Sequence, residues 1–204
     1  MQNGESKMEK ISTKEKILYA ALDLFSKYGY EATSTEQIAT AVGIRKPSLY
    51  DHYKNKQDIL DSLIAKLTNE YNKGSIFSSN VDPKKLSAKY ITKLVQEQTK
   101  FLIHNENIVK VRRLLTIEQY RNPSICEVQN KHIYTNVLDY NKSLIKVLVE
   151  NNILVDKDIE IMASQFAFPV TAWINLCDRY PEKEKEVMKK IGKHVTQFME
   201  IYKK

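Results

Sequence analysis

Apolar side chains recur at three- and four-residue steps along almost the whole of this chain, and little interrupts them. The segment TKEKILYAALDLFSKYG sets the pattern, with Ile17, Ala21, Leu24, Phe25 and Tyr28 on one face of an amphipathic helix. Five glycines and five prolines in 204 residues leave few turn signals. An all-β fold needs a turn every ten residues or so, and a phosphate-cradling loop needs clustered glycines. Both are excluded, and the pattern predicts an all-α chain.

The breaks define the elements. A first helix is expected from a cap near Thr13 to a stop at Gly29. Ser34-Thr35-Glu36-Gln37 reads as a capping box, the Ser34 oxygen taking the Gln37 N–H while the Gln37 side chain reaches back. The helix it opens is short, carrying Ile38, Ala39 and Val42 up to Gly43. A third starts near Arg45, with Pro47 tolerated in its first turn, and turns Leu49 and Tyr53 inward before Lys54-Asn55. Gln57 to Asn72 form a fourth. GSIFSSNVDP (74–83) has the composition of a hinge. Longer helices follow, over about 83–104, 106–121, 124–151, 157–180 and 182–203. About nine helices are expected in all.

The longest uncharged stretch, Ile161 to Cys177, is broken by polar residues and falls short of the ~20 apolar residues of a membrane span. It reads as a core helix, kinked at Pro169. The polar start MQNGESKMEKIS lacks the apolar run of a signal peptide, and two cysteines make no disulfide framework. A cytoplasmic protein is expected. Isolated histidines, scattered acids such as Glu97, Glu118 and Glu127, and the lack of nucleotide or hydrolase motifs predict no enzyme, no metal and no cofactor.

Two short helices joined by a Gly-containing turn, behind a longer packing helix, make a helix-turn-helix. In such a pair the N-terminal residues of the second helix face base edges in the major groove. Arg45, Lys46 and Ser48 sit there, Tyr50, Asp51 and His52 lie one turn on, and Lys56 opens the next helix. The net charge of +7 is spread along the chain, but Arg45, Lys46, Lys54 and Lys56 face only Asp51 within this segment. Arg and Lys pair with guanine, a carboxylate accepts from the cytosine amino group, and hydroxyls bond phosphate.

The segment LFSKYGYEATSTEQIATAVGIRKPSLYDHYKNKQDIL resembles the N-terminal pattern of the TetR family of bacterial transcriptional regulators. The resemblance lies in Leu-Phe…Gly-Tyr at the end of the first helix, Thr-Ser before the second and Ile-Ala…Gly-Ile at the turn. Ser-Leu-Tyr-x-His-Tyr and Asn-Lys complete it. It implies DNA contacts from Ser34, Thr35, Arg45, Lys46, Ser48, Tyr50, His52 and Lys56. On the residues alone, Tyr50 could pack in the core, His52 could pack or cap, and the Thr35 hydroxyl could serve only the helix start. Pro47 departs from the Gly of many members, and Asp51 adds a negative charge to the reading helix.

The same resemblance implies a DNA-binding domain over 11–71 and a larger helical ligand-binding and dimerisation domain over 72–204. A homodimer would form through the last two helices, where Val187, Ile191, Val195 and Phe198 make an apolar stripe. A small, largely hydrophobic effector would enter a pocket for which Tyr90, Phe101, Tyr120, Tyr134, Phe166 and Trp173 are the candidate aromatics. Aromatics at helical spacing are, taken singly, more often core. The expected partners are thus a palindromic or pseudo-palindromic DNA operator, a second copy and a small molecule, with no membrane. The rival readings are an enzyme on a helical bundle and a constitutive, nonspecific DNA binder.

Overall fold

Helix α1 (Thr13–Tyr28) begins one residue earlier than its apolar pattern suggests, because Ser12 and not Thr13 is its cap. The Ser12 oxygen accepts from the Glu15 N–H, and Glu15 reaches back to the Ser12 N–H, a reciprocal box that satisfies two end donors. The computed structural model describes residues 11–74 and 85–204. The expected hinge beyond Gly74 and the first ten residues lie outside them. The helices that follow are α2 (Thr35–Val42), α3 (Lys46–Tyr50), α4 (Lys56–Gly74), α5 (Ala88–His104), α6 (Glu106–Glu118) and α7 (Pro123–Asn130). A π-helical turn (Lys131–Thr135) leads into α8 (Asn136–Glu150), and α9 (Ile159–Arg179) follows. A 3₁₀ turn (Pro181–Lys183) then leads into α10 (Glu184–Ile201). No strand occurs among the described residues, and none of their helices is long and apolar enough to cross a membrane.

The chain separates into two compact units, Met1–Leu67 and Thr68–Lys204, with α4 starting in the first and ending in the second. In the first, α1 buries Ile17, Leu18, Ala21, Leu22 and Phe25, while Tyr28 is exposed against expectation. Gly29 ends the helix directly after Tyr28 and the chain turns, which puts Tyr30 inside instead, edge-on to Phe25 at 5.2 Å. From α2 and α3 the core takes only Ile38, Ala39 and Leu49, and from α4 Ile59, Leu60, Leu63 and Leu67. Helix α3 stops at Tyr50, earlier than its pattern predicts. Tyr53 is still buried, because its hydroxyl donates to the Lys14 carbonyl of α1 at 3.1 Å.

In the second unit α5, α8, α9 and α10 share one core, including Ile91, Leu94, Leu144, Leu148, Met162 and Phe166. A smaller cluster of Leu102, Ile108 and Ile174 joins α5, α6 and α9. Beside it the Arg112 guanidinium grips both oxygens of Asp178 at 2.7 Å and donates to the Leu102 carbonyl at 2.8 Å. The predicted helix 124–151 is in fact interrupted by the π turn, whose wider winding shifts the inward face between α7 and α8.

One expectation fails here. Val187, Ile191, Val195 and Phe198 are not a dimer surface: all four are buried in the core of their own chain, against α5 and α9. The outer face of α10 carries Lys185, Lys189, Lys190 and Lys193 instead. Helix α9 runs unbroken through Pro169. The space beside it is filled, not open: the Phe166 ring packs on Phe198 at 4.9 Å. His194 Nε2 donates to the Phe166 carbonyl at 2.9 Å, and Trp173 lies edge-on to the His194 ring.

Candidate nucleic-acid interface

Helix α2 is held at both ends by its own sequence. Ser34 accepts from the Gln37 N–H at 3.2 Å, and Gln37 accepts from the Ser34 N–H at 2.7 Å, the predicted capping box. At the other end Gly43 stands at φ 78°, a left-handed conformation that suits glycine. The Gly43 and Ile44 N–H groups then donate back to the carbonyls of Thr40 and Ala39, which closes the helix and turns the chain. Nothing would meet a Cβ at Gly43, so the backbone angle alone selects glycine.

Arg45 caps α3 with extended backbone and no side-chain cap bond, so its guanidinium is not spent on the helix start. Pro47 occupies the first turn, where its missing N–H costs no intrahelical bond. Leu49 is the one side chain that α3 buries. Arg45, Lys46, Pro47, Tyr50, Asp51 and His52 are exposed and Ser48 half-buried. The core reading of Tyr50 and the packing reading of His52 both fall, since neither residue is buried. The Tyr50 hydroxyl lies 3.2 Å from that of Thr35, joining the N-terminus of α2 to the end of α3. Lys46 Nζ stands 3.9 Å from Glu36, a second link between the two helices. Ser34, exposed, and Thr35, half-buried, therefore share one face with α3.

Lys56 stands apart from this exposed set. Its ammonium donates to the carbonyls of Tyr30 at 2.8 Å, Thr33 at 3.0 Å and Glu31 at 3.4 Å. It also sits 4.2 Å from the centre of the Tyr30 ring. Next to it, Gln57 accepts from the Tyr30 hydroxyl at 3.0 Å. Burial, with the charges of Glu31 and Asp61, pushes the Tyr30 phenol above its ordinary range, so it stays a donor. Reasoning from the sequence missed this cage. The available signal was a lysine opening a helix, where the positive end of the dipole opposes it and a compensating acceptor is to be looked for.

Of the candidate pocket residues, Phe166 lies in the main core and Tyr90 and Trp173 pack against that same core, while Phe101, Tyr120 and Tyr134 stand elsewhere. Tyr120 is 89% exposed, and Tyr134, 56% exposed, stacks on Phe168. Phe166 is sealed in the main core, Phe101 packs on the small cluster, and Trp173 faces His194. Tyr90 lines an open groove of about 1210 Å³, with Leu86, Ala88, Ile153, Gly192, Lys89 and Lys93 among its walls. Among the described residues no cluster of His, Cys, Asp and Glu could hold a metal ion.

Comparison with known proteins agrees with this arrangement. The profile described as "Bacterial regulatory proteins, tetR family" matches residues 17–63, which span α1 to α4 and contain the whole exposed face. The HTH-type transcriptional regulator YvkB of Bacillus subtilis is 26% identical over 138 residues, 68% of this chain and 65% of that protein, so the match spans just under two thirds of its length. IcaR of Staphylococcus aureus (strain Newman), a negative transcriptional regulator of the biofilm operon icaADBC, is 28% identical over 137 residues, covering 67% of this chain and 68% of IcaR. A crystal structure of a TetR-family regulator from Mesorhizobium loti superposes with a TM-score of 0.74 at 20% identity, over 94% of this chain and 97% of the other, a likeness of fold. A capped α2, a glycine turn, a one-turn α3 with its polar side chains outward and the matched profile lead to one assignment: residues 17–63 match the TetR family of bacterial regulatory proteins, and the chain shares the fold of a member of that family.

Proposed function

We propose that the chain works as a homodimeric, sequence-specific transcriptional repressor, released from its operator by a small, largely hydrophobic ligand. The observation that carries the reading is α3 itself, anchored by Leu49 and presenting Arg45, Lys46, Tyr50, Asp51 and His52 outward. A helix of that length enters a major groove end-on, with Arg45 and Lys46 toward base edges and the hydroxyls of Ser34, Thr35 and Ser48 toward phosphate. A dimer would set two such helices about 34–36 Å apart, one DNA turn, and would favour a palindromic operator. Repression is the sense carried by the similarity to IcaR.

With the α10 stripe committed to the core, the dimer surface is placed on the outer side of α9, where Ile161 and Ala172 are exposed and Phe168 is half-buried. The effector is placed in the groove beside Tyr90, whose walls are mostly apolar and whose rim carries lysines. That points to an amphipathic compound rather than a wholly apolar one. By linkage, a ligand that loosens DNA must bind the DNA-bound dimer more weakly by the same factor. The cytoplasm, where the operator is, is the expected location.

The test is selection of duplexes from a random library at fixed salt, followed by the same selection with Arg45→Ala. A defined site for the wild type and loss of discrimination at one base position in the variant are expected. Equal affinity for selected and random duplexes would remove sequence-specific regulation and leave a nonspecific binder.

A further inference from the structure

We propose that Lys56 acts in DNA binding as a positioning residue that sets the start of α2, and not as a phosphate contact. The inference rests on the DNA-binding function proposed above. Every proton of an ammonium has a carbonyl facing it here, from Tyr30, Glu31 and Thr33, so the group has no donor to spare for phosphate. The three carbonyls belong to the turn that ends α1 and leads directly into Ser34, the cap of α2. Thr33 is buried, and its hydroxyl donates to the Gly29 carbonyl at 2.8 Å, which closes the turn on itself. The Tyr30 hydroxyl bond to Gln57 adds a second tie to the same end of α4.

That end of α4 is itself fixed. The Asn55 oxygen accepts from the Asp58 N–H at 2.8 Å, and Asp58 accepts from the Lys54 N–H at 2.9 Å. A lysine in the first turn of a helix opposes the dipole, and the convergent carbonyls offset this. The arrangement therefore runs from a fixed helix start, through one ammonium, to the turn that carries Ser34 and Thr35. Thr35 in turn meets Tyr50 of α3. Loosening Lys56 moves the face without touching a residue on it.

The experiment compares wild type, Lys56→Met and Tyr30→Phe on a duplex selected from a random library by the wild type. Affinity is measured per folded molecule across a salt series, with melting followed in parallel. Lys56→Met keeps the stem over the Tyr30 ring and removes the charge and donors. The expected result is a loss of at least about fivefold in affinity, the scale of a typical coupling between sites, with the salt slope nearly unchanged. Tyr30→Phe removes no charge and is expected to weaken binding in the same sense, which decides the matter if Lys56→Met does not fold. A slope reduced by about 0.9, the signature of one lost phosphate contact, would overturn the proposal. So would unchanged affinity with only a lower melting temperature. A wild type that selects no duplex fails earlier, at the DNA-binding function itself.

Discussion

Breaking the Arg112–Asp178 pair from one side is expected to cost the second unit about 2–3 kcal/mol, and replacing both residues together to cost less than about 1 kcal/mol. Arg112 makes two bonds of 2.7 Å to the two carboxylate oxygens of Asp178, a bidentate fork, and a third of 2.8 Å to the Leu102 carbonyl. Their side chains are 15% and 19% exposed. Removing one partner of a fully buried pair costs about 3–5 kcal/mol, because the remaining charge is left without an acceptor or donor. Water still reaches part of this pair, so the figure is scaled down. Arg112→Met would leave the Asp178 carboxylate and the Leu102 carbonyl unanswered beside the Leu102, Ile108 and Ile174 cluster. Asp178→Leu would leave the guanidinium. The double variant removes both charges and lets apolar side chains meet, with only the Leu102 carbonyl left to rehydrate. Urea is the denaturant of choice, since guanidinium chloride would screen the pair. Trp173, the one tryptophan of the chain, lies on α9 and reports this unit by fluorescence. Single variants costing under about 0.5 kcal/mol would class the pair with ordinary surface ion pairs. A double variant as damaged as the sum of the two singles would refute the orphaned-charge argument altogether.

Tyr53→Phe deletes the bond to the Lys14 carbonyl and is expected to cost about 1 kcal/mol in urea unfolding at neutral pH. Burial first, then the charges of Asp58 and Glu15, pushes the Tyr53 phenol from 10.0 up to about 12. Because the folded value is the higher one, its contribution is complete below pH 10 and is lost as pH rises toward 12. The variant should lack that alkaline decline relative to wild type, and an identical decline in both would refute the assignment. Glu36→Gln frees Lys46 from a neighbour at 3.9 Å, so affinity for all duplexes should rise and the salt slope steepen, as read by fluorescence anisotropy. Unchanged binding would show that Glu36 exerts no hold on Lys46. Phe198→Glu puts a charge against Phe166 and Tyr202 and should give insoluble protein, whereas Phe168→Glu on the outer side of α9 should give a folded monomer by light scattering. A soluble dimer from either variant would displace the packing or the interface assigned to it.

What could be read from the sequence followed from how locally it was encoded. The α2 box involves Ser34 and Gln37, three residues apart, and the turn needs only Gly43, so both are visible as spacing. The exposed face of α3 follows from Leu49 being its single apolar inward residue. The cage around Lys56 reaches 23–26 residues back along the chain, and backbone carbonyls leave no mark in a sequence. The α10 stripe shows the complementary failure. Periodicity identifies Val187, Ile191, Val195 and Phe198 as an inward face but carries no information on whether the covering surface is α5 and α9 of the same chain or a second copy. The six aromatics spread over α5, the segment after α6, the π turn and α9, and no local pattern could reveal which of them share a core.

The economy of α3 has a consequence over generations of descent. Of its five residues only Leu49 is buried; the Tyr50 hydroxyl meets Thr35 and Lys46 stands near Glu36, but neither the glycine turn before α3 nor the cap of α4 after it depends on what the outward positions carry. Under the proposed function, substitutions at Arg45, Lys46, Asp51 and His52 would thus be filtered by DNA and hardly at all by stability. A duplicated gene could drift to a new operator through single steps at these positions, each intermediate still folding.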